Sequence, residues 1–224
     1  MIQLHTETSR GVPDENVLSR EVLTELADEY KTPLYVYDGD QILKNFIAFQ
    51  SAVSSLNSKV YFAVKANSST AILSLLSEAG AGADIVSGGE LQRAMNANIN
   101  PDDIIFSGVG KTDDELLSAM HNNIGQINVE SGAELDRITA LASSYNLKCS
   151  VALRINVNVD PGSHEKISTG QNSTKFGIPL IDGQAEDYYQ KVSSNPNLIP
   201  SGLAVHIGSQ LTNLAPFQKA YSEL

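Results

Sequence analysis

One lysine of the chain stands inside an otherwise apolar segment. The run Val60–Asn67 (VYFAVKAN) predicts a buried strand, and Lys65, near its carboxyl end, is the only charged residue in it. In surroundings of low dielectric constant the pKa of an ammonium falls, and the amine becomes able to form a Schiff base with an aldehyde. The alternative is a lysine whose stem packs on apolar groups while its charged end reaches water. Lys65 is therefore a candidate catalytic residue that must be judged with its neighbours.

A second group of candidates lies near the end of the chain. His206 precedes Gly208 and Ser209 in the run LAVHIGS, which begins at Leu203. A flat imidazole can cover a heteroaromatic ring, and a hydroxyl beside a glycine can donate to a phosphate oxygen. The alternative is a core histidine whose ring nitrogens are satisfied by neighbouring groups. These residues by themselves leave both interpretations open.

Several other chemistries lack their motifs. The chain has no HExxH or GxSxG motif, its four histidines are far apart, and it has a single cysteine. We therefore expect no bound metal ion and no serine-hydrolase chemistry. The segment Gly108–Thr112 (GVGKT) resembles the end of a phosphate-binding P-loop, but the position at which that motif needs its first glycine is Ile105. These glycines predict a tight turn between a strand and a helix.

Short apolar runs predict six buried strands. The runs begin at Val60, Gly82, Ile104, Gln126, Val151 and Leu203, and the first five starts are 22, 22, 22 and 25 residues apart. Helical spacing between the runs predicts parallel strands joined by right-handed crossovers, which is an α/β fold. Polar residues follow several strands, as they do where the loops of a barrel converge: Lys65, Ser87, Ser107, Glu130, Asn156 and Ser209. The pattern favours a (β/α)8 TIM barrel over an open doubly wound sheet.

The repeat is too short for a closed barrel. Six strand–helix units are present where a closed barrel has eight, and the chain stops at Leu224 inside a helix-like stretch. We therefore expect an incomplete barrel from a truncated polypeptide. Residues 1–38 lack the repeat. The polar loop Pro161–Gly177 fills an unusually long interval between two strands, and a loop of that length predicts a functional role.

Two helices are clearest in the sequence, and each is expected to bury one face. The apolar positions of the first are Ile42, Phe46, Phe49, Val53 and Leu56, and those of the second are Leu135, Ile138, Leu141 and Tyr145. Capping boxes at Thr112–Glu115 and Ser131–Glu134 predict where two helices begin, because hydroxyl and carboxylate groups at this spacing satisfy each other's backbone N–H groups.

The composition excludes several classes of partner. The chain has 15 Lys and Arg against 26 Asp and Glu, a net charge of -11 that is of the wrong sign for nucleic acids and anionic membranes. It contains 42% hydrophobic and 18% charged residues, which indicates a globular protein. The lone Cys149 cannot form an intrachain disulfide, and neither an export signal nor a membrane-spanning apolar run is present. We expect a cytoplasmic protein that binds small molecules or other proteins.

Six segments together resemble the diaminopimelate decarboxylase family of fold-type III pyridoxal-phosphate enzymes. They are Tyr61–Asn67 (YFAVKAN), Gly82–Glu90 (GADIVSGGE), Phe106–Lys111 (FSGVGK), Ile167–Gly170 (ISTG), Lys175–Gly177 (KFG) and His206–Gln210 (HIGSQ). The resemblance extends from Thr32 to Leu224 and marks the chain as an N-terminal portion. It implies that residues 39–224 form an alanine-racemase-like barrel that binds pyridoxal phosphate. It also implies that residues 1–38 join a β-rich second domain whose remaining sequence is missing here.

The resemblance implies roles for individual residues. Lys65 matches the catalytic lysine that holds pyridoxal phosphate as a Schiff base, His206 the histidine stacked on its ring, and Ser209 a phosphate contact. Asp84 and Arg154 match polar positions near the cofactor. The implied reaction is the decarboxylation of meso-2,6-diaminopimelate to L-lysine and CO₂ in lysine biosynthesis, and the implied assembly of the full-length enzyme is a homodimer.

The chain also departs from the family's pattern. Relatives usually carry a second histidine two residues before the stacking one, and here that residue is Ala204. The family's glycine-rich phosphate loop, the carboxylate that pairs with the pyridine nitrogen and the partner subunit's cysteine segment all lie in later sequence. We therefore expect the 224-residue polypeptide alone to bind the cofactor weakly and to decarboxylate poorly. Two alternatives stay open: a decarboxylase for ornithine, arginine or a related amino acid, and a non-catalytic homologue that keeps the fold.

Overall fold

A computed structural model of the chain describes residues 18–159, 176–180, 183–209 and 211–224. Its strands are β1 (Tyr61–Ala63), β2 (Gly82–Ile85), β3 (Ile104–Phe106), β4 (Gln126–Val129), β5 (Cys149–Asn156), β6 (Ile178–Pro179) and β7 (Leu198–Ala204). Its α-helices are α1 (Arg20–Tyr30), α2 (Gly39–Ala52), α3 (Thr70–Glu78), α4 (Gly88–Asn96), α5 (Asp113–His121), α6 (Gly132–Ser144), α7 (Gln184–Ser194) and α8 (Ala215–Ser222). Single 3₁₀ turns cover Val64–Ala66 and Pro101–Asp103.

The strands form one parallel sheet. Its order is β1-β2-β3-β4-β5, with β7 beside most of β5 and the two-residue β6 beside the carboxyl end of β5. Every strand pair in the described residues is parallel, which confirms the α/β fold predicted from the alternation of strands and helices. Within the described residues β1 and β7 do not pair with each other, so the sheet is an unclosed barrel. The expectation of an incomplete barrel with six main strands is confirmed.

The two faces of the sheet differ in burial because strand side chains alternate between them. Ile85, Phe106 and Ile127 are register partners on one face, and all are buried against the helices in the main core. The register partners Asp84, Ile105 and Gln126 lie on the other face and are half-buried. We call this second face the open face, and its carboxyl-terminal edge carries the polar residues that the sequence placed after the strands.

Two strand boundaries differ from the sequence prediction. The strand expected to contain Lys65 ends at Ala63, and Lys65 lies in the following 3₁₀ turn. The last strand begins at Leu198 instead of Leu203 and ends two residues before His206. Pairing with β5 sets its extent, and Pro200 is accommodated because β7 is an edge strand in the described sheet. An apolar run alone does not report such pairing.

The helices bury less of their apolar faces than the sequence predicted. In α2 Phe46 is buried, whereas Phe49 and the following Leu56 are 60% and 64% exposed. In α6 Leu135 and Ile138 are buried, but Tyr145 just beyond its end is 55% exposed. The prediction that these apolar positions are buried was therefore wrong at Phe49, Leu56 and Tyr145. Burial depends on what packs over each turn, which helical spacing does not determine.

One of the two predicted capping boxes is complete. Thr112 and Glu115 exchange both hydrogen bonds at the start of α5. At the start of α6 Ser131 accepts from the N–H of Glu134, but the Glu134 carboxylate turns to other partners. Only one of the two hydrogen bonds predicted for the second capping box is therefore formed.

Some predicted features lie outside the described residues. These are residues 1–17, the segment Ile167–Gly170, residues 161–175 of the long polar loop, and Gln210. No helix in the described ranges is long and apolar enough to cross a membrane.

Candidate functional site

Four of the five predicted site residues meet at one edge of the sheet. Lys65 directly follows β1, Asp84 lies in β2, Arg154 lies in β5, and His206 follows β7. They are close enough for the charges of Lys65 and Arg154 to act on both Asp84 and His206. Parallel strands present their carboxyl ends at a common edge, and this brings residues distant in sequence together.

Lys65 is exposed at this edge. Its 3₁₀ turn begins after β1, where Val64 points into the core and is fully buried while Lys65 is not. The sequence placed Lys65 within an apolar strand, and this was wrong because the strand ends two residues earlier. The amine lies on a short turn anchored by a buried neighbour, with its side chain accessible to a ligand from the open face.

Asp84 is an acidic group close enough to Lys65 for the charge of the ammonium to act on it. Its Oδ1 accepts a hydrogen bond of 2.5 Å from the Ser107 hydroxyl. Burial raises the pKa of Asp84 above its usual value, and the bond from Ser107 partly offsets that rise. The positive charges of Lys65 and Arg154 lower the pKa further, while the negative charge of Glu130 raises it.

His206 is half-buried and electrically neutral at neutral pH. Burial lowers its pKa from the usual 6.5 to about 4, and the positive charges of Arg154 and Lys65 act in the same direction. Glu130 opposes them. An uncharged imidazole offers a flat face and ring nitrogens that donate and accept hydrogen bonds. Ser209 lies three residues further on, beyond Gly208, and is exposed.

Arg154 forms a buried ion pair that the sequence did not predict. Its Nη1 donates to Glu130 Oε1 at 2.7 Å, and the same oxygen accepts from the N–H of Gly108 at 3.1 Å. The Phe176 ring lies 5.0 Å from the Arg154 guanidinium carbon. One atom of each partner, Arg154 Nη2 and Glu130 Oε2, is buried with no hydrogen-bond partner among the described residues. Such atoms are costly unless a ligand or water satisfies them.

Lys111 forms a second buried ion pair behind the first. Its ammonium donates to Glu134 Oε1 at 2.9 Å and to the carbonyls of Asn128 and Gly108 at 2.7 and 2.6 Å. The other Glu134 oxygen accepts from the N–H of Glu130 at 2.7 Å. The two pairs are therefore joined through Glu130. The predicted tight turn between β3 and α5 is confirmed, and Lys111 at its end is a buried structural cation.

A signal in the sequence could have revealed these pairs. Lys111 and Glu134 are 23 residues apart, and Glu130 and Arg154 are 24 apart. These separations match the repeat of one strand–helix unit. The two members of each pair therefore lie near or beyond the carboxyl ends of two adjacent parallel strands. Opposite charges one repeat apart, next to predicted strand ends, are the pattern that was missed.

Comparison with known families agrees with this geometry. Residues 39–224 match the family model described as "Pyridoxal-dependent decarboxylase, pyridoxal binding domain". The chain belongs to this decarboxylase family. The family's cofactor, pyridoxal phosphate, is the one predicted from the sequence.

Several relatives within the family are diaminopimelate decarboxylases. The chain is 47% identical over 201 residues to the diaminopimelate decarboxylase of Zymomonas mobilis, covering 88% of this chain and 47% of the relative. It is 42% identical over 202 residues to that of Aquifex aeolicus, covering 90% and 47%. The chain thus spans about half the length of the curated relatives it matches.

Solved structures of the decarboxylase family match the described fold. The diaminopimelate decarboxylase of Helicobacter pylori complexed with L-lysine superposes with a TM-score of 0.85 at 41% identity, covering 88% of this chain and 50% of that one. The enzyme from M. jannaschii gives a TM-score of 0.81 at 38% identity, covering 87% and 46%. The predicted family resemblance is confirmed.

We expect Lys111→Met to destabilise this decarboxylase domain by about 3 kcal/mol, because it leaves the Glu134 carboxylate buried without its cation. Urea unfolding measures the change. Lys148→Met, at an exposed lysine, is the matched control and should stay within about 0.5 kcal/mol of the wild type. Equal unfolding midpoints for the two variants would contradict the role assigned to Lys111.

We expect the His206 imidazole to titrate at about pH 4 in the cofactor-free protein, measured by NMR. The unfolded chain has the higher, usual pKa of 6.5, so it binds the proton first as the pH falls. The stability that neutral His206 contributes above pH 6.5 is therefore lost progressively towards pH 4. His206→Asn should make the free energy of unfolding less dependent on pH in this window. An NMR midpoint near 6.5 contradicts the expectation.

Proposed function

We propose that the chain is the cofactor-binding part of a diaminopimelate decarboxylase, which converts meso-2,6-diaminopimelate to L-lysine and CO₂ in lysine biosynthesis. The observation that carries the proposal is the meeting of Lys65, Asp84, Arg154 and His206 at one edge of a decarboxylase-family barrel. The name shared by relatives at 42 to 47% identity supports the choice of substrate. The reaction requires a primary amine, a surface for a flat ring and donors for anionic groups.

The residues at the sheet edge fit pyridoxal phosphate. Lys65 is an accessible primary amine, the group that reacts with an aldehyde. Neutral His206 offers a flat surface for the ring, and exposed Ser209 offers a hydroxyl for the phosphate. Arg154 Nη2 is a buried donor and Glu130 Oε2 a buried acceptor, and both lack partners among the described residues. These two open atoms are what a polar ligand at this edge would satisfy.

Bound pyridoxal phosphate supplies an electron-accepting ring that takes up the electron pair left when CO₂ departs. The side chains bind and orient. Lys65 would hold the cofactor through its amine, the group that reacts with an aldehyde. His206 supports one face of the ring without adding a positive charge beneath it. Asp84 places a negative charge close enough to Lys65 for the two side chains to attract each other, which would help to orient the amine.

The same proposal covers the organisation of the enzyme. Residues 39–224 would form the pyridoxal-phosphate-binding barrel, and residues 1–38 would join a second, β-rich domain. The helix α1 within the latter segment has no buried residue, which fits a segment whose packing partner lies elsewhere. We further propose a homodimer when the protein is full length and a cytoplasmic location, in keeping with a biosynthetic role.

The substrate is tested by measuring CO₂ release from the full-length native protein loaded with pyridoxal phosphate. We expect release from meso-2,6-diaminopimelate to exceed release from L-ornithine and L-arginine by about 100-fold or more, with L-lysine as product. Preferential release from ornithine or arginine would replace the proposed substrate with the alternative one. Cofactor binding without CO₂ release from any of them would identify a non-catalytic homologue.

The role of Lys65 is tested by covalent capture. After incubation with pyridoxal phosphate and reduction with borohydride, mass spectrometry should locate the pyridoxyl group on Lys65. In Lys65→Ala we expect no such group above background, because the amine that forms the bond is absent. Lys59→Ala, which removes a partly exposed lysine just before β1, is the matched control and should keep full labelling. Equal labelling of Lys65→Ala and the wild type contradicts the proposal.

A further inference from the structure

A line of hydrogen-bonded polar side chains crosses the open face of the sheet and ends at Asp84. Ser201 Oγ donates to Gln126 Oε1 at 2.9 Å, and Gln126 Nε2 donates to Asn128 Oδ1 at 2.8 Å. Asn128 Nδ2 donates to Ser107 Oγ at 2.9 Å, and Ser107 Oγ donates to Asp84 Oδ1 at 2.5 Å. We call Ser201, Gln126, Asn128 and Ser107 the polar row. It connects the edge strand β7 to β2.

The direction of every hydrogen bond in the polar row follows from the carboxylate at its end. Ionised Asp84 only accepts, so the single hydroxyl proton of Ser107 must point to it. The Ser107 oxygen then accepts from the amide nitrogen of Asn128, which leaves the Asn128 oxygen to accept from Gln126. The Gln126 oxygen in turn accepts from Ser201. All four donors therefore point the same way, towards Asp84.

Such an arrangement favours the negative charge. Hydrogen bonds in a chain polarise one another, and a charge-assisted bond is stronger than a neutral one. A protonated Asp84 that gave its proton to Ser107 would reverse the direction of the whole row. With the proton on its other oxygen, Asp84 would still accept from Ser107, but as a neutral and therefore weaker acceptor. The row thus offsets the cost of keeping a half-buried carboxylate ionised.

The sequence places small residues beside the row. Asn128 pairs in register with Ala152, and Ala152 pairs with Gly202. A side-chain carbon added at Gly202 would meet no atom within 4 Å. Large side chains at positions 152 and 202 would lie on the same face as Asn128, because register partners share a face. The open face therefore has room for polar side chains to reach across β5 from Gln126 to Ser201.

Asp84 is the member of this system that faces the reactive amine. The charged groups that act on it are Lys65 after β1, Arg154 in β5 and Glu130 after β4. Burial raises its pKa, and the Ser107 hydrogen bond is the largest influence that lowers it. Ser107 therefore has more effect on this carboxylate than either nearby cation, although it carries no charge.

We propose that the polar row is a positioning device that keeps the Asp84 carboxylate ionised and fixed beside the Lys65 amine. The proposal deepens the proposed function and rests on it for the role of Lys65. The members of the polar row form hydrogen bonds with one another and with Asp84, and we assign them an effect on Lys65 that passes through Asp84. They are therefore positioning residues.

The test measures the titration of Asp84 itself. In the cofactor-free, full-length native protein, the carboxyl ¹³C signal of Asp84 is assigned by its loss in Asp84→Asn and followed against pH. Ser107→Ala removes the donor, and we expect the pKa of Asp84 to rise by about one unit. Ser107→Thr keeps a hydroxyl and should restore the wild-type titration. Ser150→Ala, which removes a hydroxyl outside the polar row on neighbouring β5, is the control and should leave it unchanged.

The far end of the polar row provides an independent arm. Ser201 is exposed, so Ser201→Ala should fold normally and raise the pKa of Asp84 in the same direction by a smaller amount. An unchanged titration in Ser107→Ala, or an equal rise in Ser107→Ala and Ser107→Thr, overturns the proposal. If Ser107→Ala does not fold, an unchanged titration in Ser201→Ala overturns it instead. If the pKa of Asp84 shifts as expected but pyridoxal phosphate does not label Lys65, the polar row is supported and only the proposed function is contradicted.

Discussion

Two buried ion pairs joined through one glutamate hold the edge of the sheet where the candidate site lies. Burying four charged side chains is costly, and the cost is offset only when each is paired and well hydrogen-bonded. Lys111 meets this condition with three acceptors, and Glu134 meets it with an ammonium and a backbone N–H. Glu130 and Arg154 meet it only in part, since one atom of each is unpartnered within the described structure. The fully hydrogen-bonded pair of Lys111 and Glu134 therefore holds the pair of Glu130 and Arg154 in place, and this second pair faces the site.

This arrangement sets the electrostatics of an otherwise acidic protein. The whole chain has a net charge of -11, which repels a phosphorylated cofactor and the dicarboxylate proposed as substrate. At the site, however, the positive charges of Lys65 and Arg154 lie beside the carboxylates of Asp84 and Glu130 and balance them, so the site does not share the acidic excess of the whole chain. Burial and these cations also keep His206 neutral, so its ring is available for stacking. Local pairing therefore determines the field that a ligand meets, and net charge does not.

The sequence was most informative about features that depend on the chemistry of single residues. Apolar runs predicted the strands because side chains such as Phe106 and Ile127 are buried in any fold that contains these strands. Lys65 was identified because it is the only charged residue in its apolar run. Pairings were not visible in the same way. Lys111 looked like part of a turn because its partner Glu134 lies a full strand–helix unit later. Strand ends and helix exposure were also missed, since both depend on neighbours brought together only by the fold.

The geometry of the turn between β3 and α5 explains why Gly108–Thr112 resembles the end of a phosphate-binding loop. A glycine-rich turn exposes backbone N–H groups, and such groups bind anions of any kind. Gly108, with φ of 100°, adopts a backbone conformation that favours glycine and directs its N–H to the Glu130 carboxylate. Its carbonyl accepts from Lys111, and the preceding Ser107 ends the polar row at Asp84. The anion that this turn binds is therefore a side chain of the protein itself, and through that contact one turn connects the buried ion pairs to the carboxylate beside the reactive amine.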